Sequence, residues 1–233
     1  MMIVVPLIIL LVPLGITVYF SRYFWKRDRT VSIFFIVWFL VALGLNAVSF
    51  YPGQGVWVDG DRGRTPIYLA IIFAPVAMYI LARTTSAARR EAIDNVPTQL
   101  LVGSQFYRVA GFTFYLGFLG GLYPAEIAFP AAIVDVFIGV TALPLAYFMI
   151  RRPLRAVLIG WNAIGLFDFL LAISLVLLSV YGFVTLSPAP SALGQLPSIL
   201  PAVFAVPFGI IIHLELLRRL LGRDLPIAQA QGD

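Results

Sequence analysis

The sequence contains no cysteine, a single histidine (His213) and a single lysine (Lys26), and charged residues make up only 12% of its 233 positions. Each shortage removes a class of chemistry. Without cysteine there are no disulfides, thiolate metal centres or iron–sulfur clusters, and the redox state of the compartment leaves no mark on the chain. One imidazole cannot build a bis-histidine haem or a histidine-rich metal site, so no metal and no cofactor are expected. A phosphate-cradling glycine loop, a serine–histidine–aspartate grouping and an HExxH helix are also missing, which leaves enzymatic activity without a signature. The scarcity of charge excludes a water-soluble domain of ordinary composition: 61% of the residues are hydrophobic, and the mean hydropathy is +0.97.

What the chain has instead is seven apolar stretches, near 2–20, 31–50, 66–83, 98–121, 128–150, 156–183 and 200–220. Each suits a helix crossing a hydrocarbon core of about 30 Å, where the backbone must satisfy its own hydrogen bonds. The polar–apolar alternation of a transmembrane β-strand does not occur. The expected fold is therefore all-α: a single domain of seven transmembrane helices over 1–223, with a short tail at 224–233. The first stretch lacks a positive n-region, contains Pro6 and Pro13, and is followed by Arg22, Lys26, Arg27 and Arg29. That is a stop-transfer flank rather than a cleavage site.

Orientation follows from the remaining basic residues. Arg83, Arg89 and Arg90 follow the third stretch, Arg151, Arg152 and Arg155 the fifth, and Arg218, Arg219 and Arg223 the seventh. Lysine and arginine mark cytoplasmic loops, so the N-terminus is expected outside and the C-terminus inside. In the opposite loops only Arg62 and Arg64 occur, offset by Asp59 and Asp61, and 122–127 and 184–199 carry no basic residue. A pI near 9.7 is then explained by membrane lipids as partners, without nucleic acid. The preference for arginine over lysine and the short loops point to a bacterial-type inner membrane, crossed several times. In helix count and orientation this resembles the rhodopsin architecture. The only lysine, Lys26, falls in a loop, however, so a retinal Schiff base in the seventh helix is excluded.

The most informative residues are charges inside the apolar stretches. Arg108 lies about ten residues into the fourth, Asp135 about eight into the fifth and Asp168 about twelve into the sixth, all near mid-bilayer at roughly 1.5 Å per residue. A charge there costs at least about 2.5–3.5 kcal/mol and normally faces the bundle interior with a partner. Asp135 sits on a stripe of small residues, Ala128, Ala132, Gly139, Ala142 and Ala146, of the kind that lets neighbouring helices approach. On α-helical periodicity Asp168 shares a face with Trp161, Gly165 and Ala172, and Arg108 with Ser104, Gln105, Gly111 and Tyr115. Gln105, Asn162 and His213 form a second polar tier roughly 10 Å from the inner interface. The candidate ligand-binding set is thus Arg108, Asp135, Asp168, Gln105, Asn162, His213, Tyr115 and Trp161.

Two aspartates against one arginine leave one negative charge, so charge balance asks for a proton or a bound cation. The leading expectation is a carrier or sensor that binds a small molecule or ion at mid-membrane. The same charges can also fix helix register with no ligand, as in a structural subunit or assembly factor held by membrane-protein partners. A third, weaker reading is an intramembrane enzyme acting on a lipid or isoprenoid-like substrate. Elsewhere the bland readings are preferred. His213 is expected to be an interhelical hydrogen-bonder, and Glu215 to pair with Arg218 and Arg219. Asp59-Gly60-Asp61 reads as a solvated turn, and Trp25, Trp38, Trp57, Tyr51, Tyr68 and Tyr181 as an interfacial belt from which Trp38 lies deeper. Gly117, Gly120 and Gly121, with Pro124 and Pro130, predict a tight turn into the fifth helix.

Overall fold

The computed structural model describes residues 4–48, 65–149, 155–194 and 198–222. Tyr51, Trp57, the Asp59–Asp61 turn, Arg62, Arg64, Arg151, Arg152, Arg223, the tail and the side chain of Tyr68 lie outside the described residues. Within them the chain is helical, with no strand.

Helices α1 (Val4–Trp25) and α2 (Arg29–Val48) form a hairpin. Asp28 starts α2 as an N-cap, its carboxylate accepting from the Thr30 and Val31 amides. Ser32 donates to the Ser21 carbonyl across the hairpin at 2.7 Å. Helix α3 (Thr65–Thr85) is followed by α4 (Ala87–Asp94) after a bend of 110°. Ser86 caps α4 through the Arg89 amide. This short polar helix lies where a plain loop was expected, because eight residues of low hydrophobicity give no span signal.

The expected fourth helix is present but composite: α5 (Thr98–Ser104), a 3-10 segment Gln105–Gly111, and α6 (Phe112–Leu119). Gly121, at φ 70°, makes the predicted tight turn, a conformation that favours glycine. Next come α7 (Ala125–Pro130), a π-helical turn Ala131–Asp135, and α8 (Val136–Phe148). Helix α9 spans Arg155–Val180. After a 3-10 turn at Pro190–Gly194, a second π turn, Pro201–Ala205, leads into α10 (Val206–Leu221).

Four of these helical segments are long and apolar enough to cross a membrane: Val5–Trp25, Ala125–Phe148, Arg155–Val180 and Pro201–Leu221. The bent α3–α4 pair makes a fifth if it is counted as one span, and Arg29–Leu45 is a shorter apolar helix. The 3-10 segment divides the Thr98–Leu119 stretch into pieces too short to qualify. Burial separates the spans by role: 56% of the Pro201–Leu221 window is buried against 22% for Arg155–Val180. Helix α10 is therefore the axis of the bundle, and α9 turns most of its apolar surface outward.

The second π turn has a local cause. Pro207 has no amide hydrogen, and its ring clashes with the carbonyl four residues back, that of Val203. The widened turn relieves that contact. The Val203 carbonyl instead accepts from the Trp38 indole at 3.0 Å, and the Ala205 carbonyl from the Tyr107 hydroxyl at 2.8 Å. Trp38 is thus a buried donor in the core, ringed by Phe34, Phe35 and Phe204, and not a belt residue. Its depth reflects this hydrogen-bonding role.

Candidate functional site

Arg108 owes its position to the 3-10 segment. With three residues per turn, positions i, i+3 and i+6 eclipse. The buried residues of that segment are accordingly Gln105, Arg108 and Gly111. Gly111 lets the segment press against the π turn opposite, since a Cβ at this position would collide with the Asp135 side chain and lie 3.0 Å from the Ala131 carbonyl. Gly165 does the same on α9, where a Cβ would meet His213 at 2.6 Å and the Arg108 Nη1 at 2.9 Å. The small residues thus set how closely the charged groups approach.

The result is a guanidinium with few donors left over. Arg108 Nε donates to Asp135 Oδ1 at 2.5 Å, and Nη2 to Asp168 Oδ2 at 2.7 Å. Nη1 reaches the Gly165 carbonyl at 3.2 Å and His213 Nε2 at 3.0 Å. The Phe169 ring lies 4.1 Å beneath the guanidinium carbon, a cation–π contact. Of the ion-pair side chains Arg108 is 0%, Asp168 5% and Asp135 14% exposed. Asp135 is therefore the member most open to an incoming ligand.

His213 can be assigned a tautomer from its partners. The Asn162 amide nitrogen donates to the His213 carbonyl at 2.9 Å, which turns Oδ1 towards His213 Nδ1, 2.5 Å away. That oxygen only accepts, so Nδ1 carries the hydrogen, and Nε2 of the neutral ring is free to accept from Arg108. The two polar tiers expected from the sequence are therefore joined by one hydrogen bond.

Of the eight candidate residues, Arg108, Asp135, Asp168, Asn162 and His213 meet in this network. Trp161 stands at its edge, its ring 5.8 Å from that of His213 and its indole donating to Thr141 Oγ1 at 2.9 Å. Gln105 lies one 3-10 turn from Arg108, fully buried, with neither side-chain amide atom hydrogen-bonded. Tyr115 is not brought to the site. It is 40% exposed and packs against Phe118 and Phe129. The 3-10 segment advances about 120° per residue instead of 100°, so its three steps from Arg108 to Gly111 turn Tyr115 about 60° from its α-helical phase. Glu215 pairs with Arg218 and Arg219 as expected, and also with Arg83 and the Tyr79 hydroxyl.

The cluster forms one wall of a cavity of about 130 Å³ whose other polar lining comes from Tyr107, Thr113 and Ser198. Tyr107, Phe169 and Ser198 escaped the sequence reading, because an aromatic or a serine in an apolar helix looks like ordinary filling. Ser198 is hydrogen-bonded to Tyr123 from the Gly121 turn. Burial pushes the Tyr123 phenol above its ordinary value, so it serves there as a neutral hydroxyl. At about 30 Å³ per water in the liquid, the cavity volume corresponds to roughly four waters. The rest of its lining is mainly hydrocarbon, including Ile9, Val12, Ile72, Phe114, Ile127 and Val176, so the charged groups are one ionic wall of a small apolar space.

Residues 66–221 match the model of a family described as a domain of unknown function, DUF8737. The match runs from α3 to the end of α10 and includes every residue of the Arg108 network. No curated protein and no solved structure matches the chain.

Proposed function

The chain belongs to the DUF8737 family, whose description names no activity, and from the geometry of the site we propose that it is a membrane carrier or sensor for a proton or small inorganic cation. The observation that carries this reading is the pair of carboxylates from different elements on one guanidinium, beside a cavity of only about 130 Å³. The neutral His213 adds no charge, so the group holds one negative charge in excess, which a proton or cation neutralises. Among the described residues no group of three or more metal-type ligands occurs, so the cation we favour is monovalent.

The same proposal takes the protein as a multi-pass bundle of seven helices in an inner membrane, N-terminus outside and C-terminus cytoplasmic. Its support is the concentration of arginine in alternate loops. In this reading α2 and the composite α5–α6 stretch complete the set of spans.

The test is proton flux into liposomes holding the purified chain, read with an entrapped pH-sensitive dye with and without a Na⁺ or K⁺ gradient. It is run beside a titration of tryptophan fluorescence from pH 5 to 8, with Trp161→Phe as the reference that isolates the Trp161 signal from those of Trp25, Trp38 and Trp57. Asp135→Asn and Asp168→Asn keep the side-chain shape and are expected to cut flux at least tenfold, or to flatten the titration, while the fold stays intact. Flux equal to that of protein-free liposomes, together with one titration curve shared by wild type and both variants, would reject the proposal.

A second reading, a structural subunit or assembly factor of a larger membrane complex, is favoured by how completely Arg108 is engaged by its own chain. It predicts a co-purifying membrane-protein partner. A monodisperse single-chain particle from native membranes argues against it.

A further inference from the structure

A larger cavity, about 330 Å³, lies towards the arginine-rich end of the bundle, between α1, α2, α3 and α10, with α4 at its rim. Its volume falls in the range of small-molecule sites, roughly 300–1,000 Å³. The walls are hydrocarbon: Phe20, Phe24, Phe35 and Phe208 pack ring against ring, and Met78 and Ile211 complete them. Water is a poor occupant. A buried water needs two to four polar partners, and the polar groups here are either at the rim or already committed. Tyr79 donates to Glu215 at 2.6 Å, and Glu215 is held by Arg83, Arg218 and Arg219.

The rim differs from the walls. Arg89 lines it from α4, with Thr30 and Thr85 alongside. Among the described residues its guanidinium has no ion pair or hydrogen bond, unlike Arg83, Arg90, Arg218 and Arg219, which are all engaged. The surrounding field is positive. Three guanidiniums face two carboxylates in the Arg83–Asp94–Glu215–Arg218–Arg219 network, and Arg22, Lys26, Arg27 and Arg29 lie where α1 turns into α2. Because α4 is bent 110° from α3, it runs across the end of that helix, as a helix in a membrane interface does.

We propose that this cavity binds one acyl chain of an anionic phospholipid from the surrounding bilayer, with the phosphate on Arg89. A space that water fills poorly gains packing contacts when a lipid chain occupies it, while the headgroup phosphate meets the Arg89 guanidinium at interfacial depth. This site is separate from the Arg108 cavity and does not depend on how that cavity functions.

The experiment is native mass spectrometry of the full chain in detergent, delipidated and then titrated with dioleoyl-phosphatidylglycerol or dioleoyl-phosphatidylcholine. Wild type is expected to retain one phosphatidylglycerol in preference to phosphatidylcholine. Arg89→Gln, which removes the phosphate contact, is expected to weaken phosphatidylglycerol at least fivefold, whereas Lys26→Gln, at the same end but outside the cavity, removes only part of the surrounding field and weakens it less than twofold. Ala82→Phe, which adds a ring from the α3 wall, is expected to block retention with Arg89 intact. If Ala82→Phe does not fold, the Arg89 and Lys26 pair still decides. Equal retention of the two lipids, an equal loss in Lys26→Gln, retention of a free fatty acid instead, or no lipid retained at all each overturns the assignment.

Discussion

Two charged networks sit on α10, and they are built in opposite ways. Around Arg108 two carboxylates share one guanidinium, and none of the three side chains is more than 14% exposed. At the arginine-rich end three guanidiniums share two carboxylates, and Asp94 and Arg218 are 41% and 39% exposed. The end network also serves the backbone: Arg219 donates to the Ile93 and Val96 carbonyls at 2.8 and 2.6 Å, tying α10 to the turn that follows α4. Its surplus positive charge can be met by water or by lipid phosphate. The surplus negative charge around Arg108 borders only a cavity of about 130 Å³, and it is the charge that the proposed proton or cation would neutralise. The end cluster is thus partly open at its edge, whereas the Arg108 cluster is almost wholly enclosed.

The sharpest way to break this comparison is to remove one arginine from each network. Arg108→Gln strands two buried acids and is expected to cost about 3–5 kcal/mol, the scale for breaking a buried pair. Arg219→Gln leaves Glu215 with Tyr79, Arg83 and Arg218, and frees carbonyls near a helix end, for an expected loss of about 1–3 kcal/mol. Melting temperatures of both variants in one detergent test this order. Equal losses would show that the two networks are energetically alike, and an unchanged Arg108→Gln would mean that the guanidinium holds nothing together.

A smaller effect sharpens the contrast within α9. Gly165→Ala is expected to cost about 1–3 kcal/mol, because its methyl would press on His213 and Arg108. Gly160 has open space around it, and Gly160→Ala should stay within about 0.5 kcal/mol of wild type or gain slightly in helix propensity. Matching behaviour of the two alanine variants would remove the close approach at Gly165 from the account. The smallest effect belongs to Asp94→Asn at the exposed edge of the end network, under about 1 kcal/mol and reduced further by salt. A loss as large as that of Arg219→Gln would mean that the edge is not screened.

Much of the site was legible because charge is so rare in the apolar stretches. Arg108, Asp135 and Asp168 stand out by composition alone, and the depth argument put them at one level, where they do meet. The small-residue stripe was equally readable: Ala128, Gly139 and Ala142 are buried on the face that carries Asp135. Tyr115 shows where the reading failed. Its assignment assumed uniform α-helical phase through 98–121, and a single 3-10 segment was enough to turn it outward. Trp38 shows the same limit from the other side. Pro207 is visible in the sequence and implies a carbonyl without its helical donor, but which distant side chain would satisfy that carbonyl is not.

By itself, then, the sequence determined that the chain is built of apolar helices, which few polar residues must find partners among them, and where proline and glycine disturb the rods. Composition and spacing carry that information because burying a charge or losing a backbone donor is costly wherever it occurs. Only the tertiary structure decided that both aspartates reach one arginine, that His213 accepts where it was free to donate, and that two cavities of different character lie beside α10. Those outcomes depend on the phase of each helix and on close approach at Gly111 and Gly165. Both turn on whether a few amides bond three, four or five residues back, a choice that packing against distant neighbours makes.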